Sequence, residues 1–243
     1  MSEPNDPLAP DPSLVPDPLL VEAIAGRREA IEARIAARTD RPVRLVCVTK
    51  SHPVEVLAAA VQAGCRELGE SYAQELLAKL DAAGGRGPDG RLAPPFDQVT
   101  WHFIGRLQSN KVRQLAGTID LWHTVDRESL AREVARRAPG ATVLVQLDLA
   151  GLPGRGGCAP ADAPALVARC AELGLSVVGL MGVGVPGAPE DSRRPFAELV
   201  AMAEDLGLPE RSIGMSGDLD VAVEEGATIV RVGSALVGPR DGR

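Results

Sequence analysis

The chain has 243 residues, of which 45% are hydrophobic, and a formal net charge of −7. This is enough apolar sequence for a full core, in one α/β domain or in two smaller ones. A pI near 5.1 leaves no basic surface for a nucleic-acid backbone. No apolar run approaches the roughly 20 residues of a membrane span, and the N-terminus is acidic and proline-rich, unlike a signal peptide. We therefore expect a cytoplasmic protein that binds neither nucleic acid nor membrane.

Neither the cysteines nor the histidines have the spacing of metal ligands. The four cysteines form no C-x-x-C pair and lie largely in apolar stretches, which favours reduced thiols in a core over a zinc site or disulfides. His52, His102 and His123 are equally unsuited to a metal site by their spacing. The sequence predicts no metal.

The first 18 residues differ from the rest in composition. Met1–Pro18 combines prolines with acidic residues and cannot bury enough apolar surface to order itself. We predict a disordered tail over residues 1–18 and one folded domain over residues 19–243. That domain opens with an amphipathic helix over Leu19–Ala37.

Strand and helix patterns then alternate to the end of the chain. Strands are predicted at Val43–Val48, Arg66–Gly69, Thr100–Ile104, Leu121–Val125, Thr142–Leu149, Ser176–Met181, Ser212–Met215 and Ile229–Val232. Helices are predicted at Val54–Ala63, Tyr72–Ala83, Leu107–Ala116, Arg127–Arg137, Ala161–Leu173, Ser192–Leu206 and Leu219–Glu225, with a short one from Ser234. Gly84–Asp97, rich in Gly and Pro, is predicted to be a long surface excursion. Strict alternation implies parallel strands, and eight units predict a single-domain, closed (β/α)8 TIM barrel over an open sheet.

A lysine stands at the end of the first predicted strand. Lys50 is one of only three lysines among 26 basic residues. With a period of two it shares a strand face with Val46 and Val48. Unlike arginine, lysine can act as a neutral amine; a strand-end lysine that extends to solvent is the alternative.

Two glycine–serine loops follow the last two strands, where barrels commonly bind phosphate. Met215, Ser216 and Gly217 come after strand seven, and Gly233 and Ser234 come after strand eight. Each loop offers backbone N–H groups, a glycine that permits close approach, and a hydroxyl. Serines that only cap their helices are the alternative for each loop taken alone.

Arg231 lies on strand eight, which adjoins strand one in a closed barrel. Lys50, Arg231 and both loops would therefore converge, and a nearby cation and desolvation would both favour the neutral lysine amine. An amine that can attack an aldehyde beside a phosphate site suits a phosphorylated aldehyde, of which pyridoxal 5′-phosphate (PLP) is the obvious one.

Four segments of the chain also resemble a known family. VTKSHPVEVLAAAVQAGCRELGESYAQEL, WHFIGRLQSNKVR, GLMGVG and GMSGDLDVAVEEGATIVRVGSALVG are similar, in order, to segments of the pyridoxal-phosphate homeostasis proteins (the YggS/PROSC family). The resemblance runs from about Leu19 to Gly238. It implies a barrel like the N-terminal domain of alanine racemases and a role in vitamin B6 homeostasis.

The resemblance also implies roles for individual residues. Lys50 would hold PLP as a Schiff base, Arg231 would face the pyridine nitrogen, and the phosphate would be surrounded by Ser216, Gly217, Gly233 and Ser234. The family usually has Asn at Ser71 and Pro at Arg106. Serine is shorter, which puts a polar contact to the cofactor in question, and Arg106 adds charge beside the mouth. His102 and Tyr72 are placed at the same rim, although packing explains each equally well.

A carrier is favoured over a catalyst. An arginine at the ring nitrogen leaves that nitrogen unprotonated, which makes the ring a poorer electron sink. Racemisation also needs a proton donor opposite the lysine. The resembling racemases take it from a tyrosine on a second domain, whereas Tyr72 is the only tyrosine here. We expect a PLP-binding protein without efficient amino-acid turnover, with PLP-dependent apoenzymes as candidate partners, and a monomer rather than an oligomer.

Two other functions remain open from the sequence. One is a PLP-dependent, racemase-like enzyme of unknown substrate. The other is an aldolase-type barrel enzyme that uses Lys50 on a sugar phosphate without PLP.

Overall fold

Eight parallel strands close into a barrel in sequence order, which confirms the predicted fold class. A computed structural model describes residues 15–85, 92–152, 154 and 156–239. Its strands are β1 (Arg44–Val48), β2 (Glu67–Glu70), β3 (Thr100–Phe103), β4 (Leu121–Val125), β5 (Thr142–Leu147), β6 (Ser176–Gly182), β7 (Glu210–Ser212) and β8 (Ile229–Val232). Strands β1 and β8 pair in register, with Val46 opposite Arg231, so the first and last strands are neighbours as expected.

Helices surround the barrel. They are α1 (Pro18–Ala36), α2 (Val54–Gln62), α3 (Ala73–Ala82), α4 (Val112–Leu115), α5 (Glu128–Arg137), α6 (Ala163–Glu172), α7 (Arg193–Asp205), α8 (Leu219–Glu225) and α9 (Ser234–Val237). None of the helices in the described ranges is long and apolar enough to span a lipid bilayer.

The hydrophobic core has two parts, which follow from the alternation of side chains along each strand. The larger cluster lies between sheet and helices and includes Cys47. The smaller one fills the barrel interior and consists of Val46, Leu121, Leu144, Met181 and Ile229. Cys47, Cys65 and Cys170 are buried, Cys158 is half-buried, and all four are free thiols.

Most predicted elements agree with the structure within one or two residues, but two do not. Strand seven was predicted at Ser212–Met215 and lies at Glu210–Ser212. Glu210 at the start of β7 pairs with Arg44 of β1, and Gly214, two residues after the end of the strand, has a φ of +94°. The helix predicted over Leu107–Ala116 is reduced to a 3-10 turn and the four-residue α4.

Two predictions concern segments that the structure describes only in part. Of the predicted disordered tail, residues 1–14 lie outside the described residues, and Pro18 already begins α1, with Asp17 as its N-cap. Of the Gly84–Asp97 excursion, residues 86–91 also lie outside them. At the described end of that excursion Pro94, Pro95 and Asp97 are exposed, as predicted, whereas Phe96 is only 1% exposed and starts a 3-10 turn.

The loops after β2 and β3 touch at Gly105. A Cβ at this position would lie 2.0 Å from the carbonyl oxygen of Ser71, whereas a Cβ at Gly26, inside α1, would meet nothing within 4 Å. We expect Gly105→Ala to lower the free energy of unfolding by about 1–3 kcal/mol through overpacking. The matched Gly26→Ala should raise it by about 0.5–1 kcal/mol, since glycine is costly inside a helix. Urea unfolding of both variants would measure the contrast; equal effects would contradict the close contact.

Candidate functional site

Lys50 follows β1 at the C-terminal end of the barrel and is half-buried. Its neighbour Gly233 comes directly after β8, and a Cβ at Gly233 would lie 3.6 Å from the carbonyl oxygen of Val48. The lysine and the loop after β8 are therefore on the same side of the barrel mouth, as barrel topology requires of groups that follow strands.

A buried ion pair fixes the backbone on the N-terminal side of Lys50. The Nζ of Lys79 donates to the carbonyl oxygen of Thr49 (2.9 Å) and to Oε1 of Glu70 (2.7 Å). The hydroxyl of Thr49 donates to the same carboxylate oxygen, at 2.8 Å. Thr49 and Glu70 are each 0% exposed and Lys79 is 6% exposed. Water is thus excluded from all three groups, which makes the contact strong and its partners interdependent.

Burial is the largest influence on Glu70. It raises the pKa of the carboxyl group, and Lys79 and Thr49 oppose it only in part. The second oxygen, Oε2, is buried without a hydrogen-bond partner in the described part of the chain. Glu70 therefore depends on Lys79 to remain in the core.

A second carboxylate fixes the backbone on the C-terminal side of Lys50. Glu75, on α3, accepts a hydrogen bond from the backbone N–H of Ser51 and forms an ion pair with Lys79. Ser51 has a positive φ of 61°, an uncommon conformation for a residue other than glycine. Groups from β2 and α3 thus hold the residues on both sides of Lys50, which restricts the position of the Lys50 backbone.

The loops after β7 and β8 carry backbone donors that the protein leaves free. In the ranges that the structure describes, the N–H groups of Ser216, Gly217, Gly233 and Ser234 donate to no protein acceptor. The two loops flank Arg231, whose own N–H donates to the carbonyl oxygen of Gly214 at 2.9 Å. Four free N–H groups with two serine hydroxyls are a donor set suited to an anion.

Met215 differs from its neighbours in that loop. Its N–H donates to Oδ1 of Asp218 at 2.6 Å, and its side chain is 37% exposed. The backbone donor of Met215 is therefore taken, so a binding role for this residue rests on its side chain and stays a prediction. Asp218, the buried carboxylate that closes this turn, was not among the predicted site residues. An acidic residue that accepts from the backbone N–H three positions before it is a known signal at the start of a helix.

Three hydrogen bonds to residues of neighbouring strands hold the guanidinium of Arg231. One terminal nitrogen donates to the carbonyl oxygen (2.7 Å) and to Oγ (2.6 Å) of Ser212, and the other donates to the carbonyl oxygen of Gly182 (2.8 Å). The side chain is 3% exposed, and burial lowers its pKa to about 10, with Asp218 opposing the change. A guanidinium has five N–H groups, so two remain for a ligand, and the group stays charged at neutral pH.

The rest of the mouth is an open cavity of about 800 Å³ on the side of the loops after β2–β5. It is lined by, among others, Ser71, Tyr72, Arg106, Lys111, Asp126 and Gly157. Ser71 is buried at the edge of the cavity, and Tyr72 is 56% exposed. Arg106 and Lys111 form no ion pair within the described residues, so the cavity carries positive charge. His102, in contrast, was placed wrongly at this rim: it is 0% exposed inside the barrel.

The arrangement combines an amine, a set of free N–H donors and a fixed cation at one end of the barrel. The amine can add to an aldehyde, the N–H groups and hydroxyls can hold a phosphate, and the guanidinium can donate to a ring nitrogen. The residues thus fit PLP.

Comparison with known proteins agrees with this chemistry. Residues 27–241 match the family model described as "Alanine racemase, N-terminal domain". The "Pyridoxal phosphate homeostasis protein" of Pseudomonas aeruginosa is 38% identical over 230 residues, which cover 91% of this chain and 94% of the relative. This chain belongs to the pyridoxal phosphate homeostasis protein family.

Solved structures show the same barrel. PipY of Synechococcus elongatus, solved with PLP bound, is 32% identical with a TM-score of 0.75, over 88% of this chain and 100% of that one. Alanine racemase from Bartonella henselae, with covalently bound pyridoxal phosphate, is 16% identical with a TM-score of 0.64, over 91% of this chain and 61% of that one. The second likeness shows the fold alone.

Proposed function

We propose that this chain binds PLP at the barrel mouth through a Schiff base on Lys50 and takes part in PLP homeostasis without efficient amino-acid turnover. One observation carries the proposal: Lys50 and four backbone N–H groups that have no acceptor among the described residues lie at the same end of adjacent strands, on either side of Arg231. The lysine nitrogen forms a bond to the aldehyde carbon, and the aldehyde oxygen leaves as water.

Each end of the cofactor has a counterpart in the site. Ser216, Gly217, Gly233 and Ser234 hold the phosphate, and Arg231 donates an N–H to the pyridine nitrogen. A guanidinium keeps its own proton, so the ring nitrogen stays unprotonated, which favours retention of the cofactor over carbanion chemistry. The names of the relatives support the same function: those proteins are called homeostasis proteins, and PipY has been solved with PLP.

The experiment is a PLP titration of the purified, cofactor-free protein. We expect a yellow complex whose visible band disappears with borohydride, and peptide mapping should place the reduced adduct on Lys50 rather than on Lys79 or Lys111. Pyridoxal, which lacks the phosphate, should bind at least about tenfold more weakly, because charged hydrogen bonds to the phosphate are lost. An adduct spread over the three lysines would contradict the proposal. A colourless protein whose Lys50 is trapped only by a sugar phosphate would support the aldolase-type alternative.

One observation favours the second candidate function, a racemase-like enzyme. Tyr72, which can donate a proton, lines the mouth cavity together with the cations Arg106 and Lys111, which could bind a substrate carboxylate. Incubation of the PLP-loaded protein with L- and D-amino acids in deuterated water tests it. We expect no appreciable deuterium at the α-carbon; rapid incorporation that Tyr72→Phe abolishes would instead establish an enzyme.

Three further features belong to the proposal. The protein delivers PLP to PLP-dependent apoenzymes, acts in the cytoplasm and is a monomer. Size-exclusion chromatography with light scattering and transfer of PLP to a purified apoenzyme are the direct measurements.

A further inference from the structure

A line of buried polar side chains runs through the barrel interior beneath Arg231. Ser212 Oγ accepts from the guanidinium at 2.6 Å and lies 3.0 Å from Nδ1 of His123. His123 Nε2 lies 2.8 Å from Nδ1 of His102, and His102 Nε2 lies 2.6 Å from Oε2 of Glu67, away from the ideal hydrogen-bond direction. Ser212 and both histidines are 0% exposed. So many polar groups in a barrel interior are costly unless each one is satisfied.

The Arg231 end of this line decides the direction of the hydrogen bonds in it. Arg231 can only donate, so the Ser212 hydroxyl accepts from it and must direct its own proton to Nδ1 of His123. His123 is then neutral with its proton on Nε2, which donates to Nδ1 of His102. His102 in turn carries its proton on Nε2, facing the carboxylate of Glu67, which can only accept.

The reverse direction would leave the Ser212 hydroxyl proton without an acceptor among the side chains of the line. Burial is the largest influence on His123 and lowers its pKa well below the ordinary value, and the charges of Arg231 and Arg44 act in the same direction. Burial is also the largest influence on Glu67 and alone would raise its pKa, but the hydrogen bond from His102 and the charge of Arg44 outweigh it, so the pKa is lowered and the group is a carboxylate.

The line is anchored at the other end of the barrel. Arg44 contacts Glu67 at 3.5 Å and Glu210 at 3.0 Å, and Glu210 accepts from the hydroxyl of Thr228 at 2.6 Å. These groups lie at the N-terminal ends of β1, β2, β7 and β8 and are partly exposed. The histidines therefore connect this charged cluster, at the N-terminal ends of the strands, to the Arg231 guanidinium at the barrel mouth.

We infer that His123 and His102 are positioning residues for the cofactor: through Ser212 they orient Arg231 so that its two remaining N–H groups face the pyridine ring. The inference rests on the proposed function. Arg231 and Ser212 alone would leave the hydroxyl free to rotate; the histidine line fixes the hydroxyl as an acceptor toward the guanidinium.

The first test uses the cofactor-free protein. The chain has three histidines, so ¹⁵N-histidine labelling gives three imidazoles, and a His52→Gln variant assigns the third. We expect both His102 and His123 to be neutral with the proton on Nε2 at pH 7. An imidazolium at His102, or a proton on Nδ1 of His123, would overturn the inference.

The second test uses three variants and two readouts, the dissociation constant for PLP and the visible spectrum of the complex. His123→Leu removes the acceptor for Ser212 and should weaken PLP binding about tenfold and shift the band, as expected for one lost charge-assisted contact. His123→Asn keeps an oxygen near the Nδ1 position and should restore both readouts to within about threefold of wild type. Met181→Leu, a change of shape in the barrel cluster, is the matched control and should have no effect.

The outcomes separate this inference from the proposed function. A wild-type protein that does not bind PLP refutes the function, while the NMR result still decides the direction of the line. Wild-type binding with equal losses in the Leu and Asn variants, with no loss in either, or with the same loss in Met181→Leu overturns the positioning role.

Discussion

Lys50→Ala should abolish borohydride-dependent attachment of PLP. Because the lysine nitrogen is the atom that bonds to the aldehyde carbon, alanine leaves no amine at this position. Intact-mass spectrometry after reduction should change from near-complete labelling in the wild type to background in the variant. Lys50→Arg should lose the adduct as well, since guanidinium does not act as a neutral amine, although it keeps the charge.

Lys111→Ala is the matched control for this prediction. Lys111 lies at the same mouth and lines the open cavity, yet labelling of the variant should equal that of the wild type. Both Lys50 variants should still bind PLP reversibly, because the free N–H groups after β7 and β8 are unchanged. Undiminished labelling of Lys50→Ala would show that the site lies elsewhere.

Lys79→Met should be among the most destabilising changes in the chain. It leaves the carboxylate of Glu70, which is 0% exposed, without its charged partner. Removal of one member of a buried pair costs about 3–5 kcal/mol of the free energy of unfolding. It also removes the donor to the Thr49 carbonyl, so PLP binding at Lys50 should weaken. Denaturant unfolding and PLP titration measure the two effects.

Two further variants test the cause. Adding Glu70→Gln to Lys79→Met removes the stranded charge and should recover most of the lost stability. Arg194→Met breaks a pair whose members are 89% and 62% exposed, and should change stability by less than about 0.5 kcal/mol. A double variant no more stable than Lys79→Met would contradict the explanation.

The loss of unfolding free energy caused by Lys79→Met should also become smaller as the pH falls. The pKa of Glu70 is already raised in the folded protein by burial, and Lys79 is the main group that lowers it. In the variant the folded protein binds a proton at Glu70 more readily than the unfolded chain does. Stability relative to wild type therefore falls as the pH rises through the interval between the raised pKa of Glu70 in the folded wild type and its further raised pKa in the folded variant, and it recovers below that interval. A pH-independent difference would argue against a buried carboxylate.

The sequence predicted the fold and one end of the site through local patterns. The alternation of strands and helices follows from local hydrophobic patterns along the chain, and eight such units are enough to indicate a closed barrel. Lys50 and the glycine–serine loops were found because strand ends and helix starts carry local signals. The family resemblance then supplied roles for individual residues, and all of these roles stay predictions.

The positions of other residues depend on contacts between distant segments of the chain, which no local sequence pattern indicates. The sequence around Lys79 has the pattern of an ordinary helix, yet its ammonium group donates hydrogen bonds to Thr49 and Glu70. His102 was placed at the mouth, whereas the stagger of the strands puts it beside His123 inside the barrel. Strand seven was predicted two to three residues too late, because it begins at Glu210, which is held by Arg44 of β1 and by Thr228, just before β8.

The sequence by itself determined the number of strands, the closed topology and the position of Lys50 at the end of the first strand, because hydrophobic periodicity and turn residues act over a few neighbours. Only the tertiary structure decided which polar groups meet across the barrel, how Lys50 is held between Thr49 and Ser51, and what supports Arg231. Those contacts depend on strand register and on burial, which arise only when segments distant in the chain pack together.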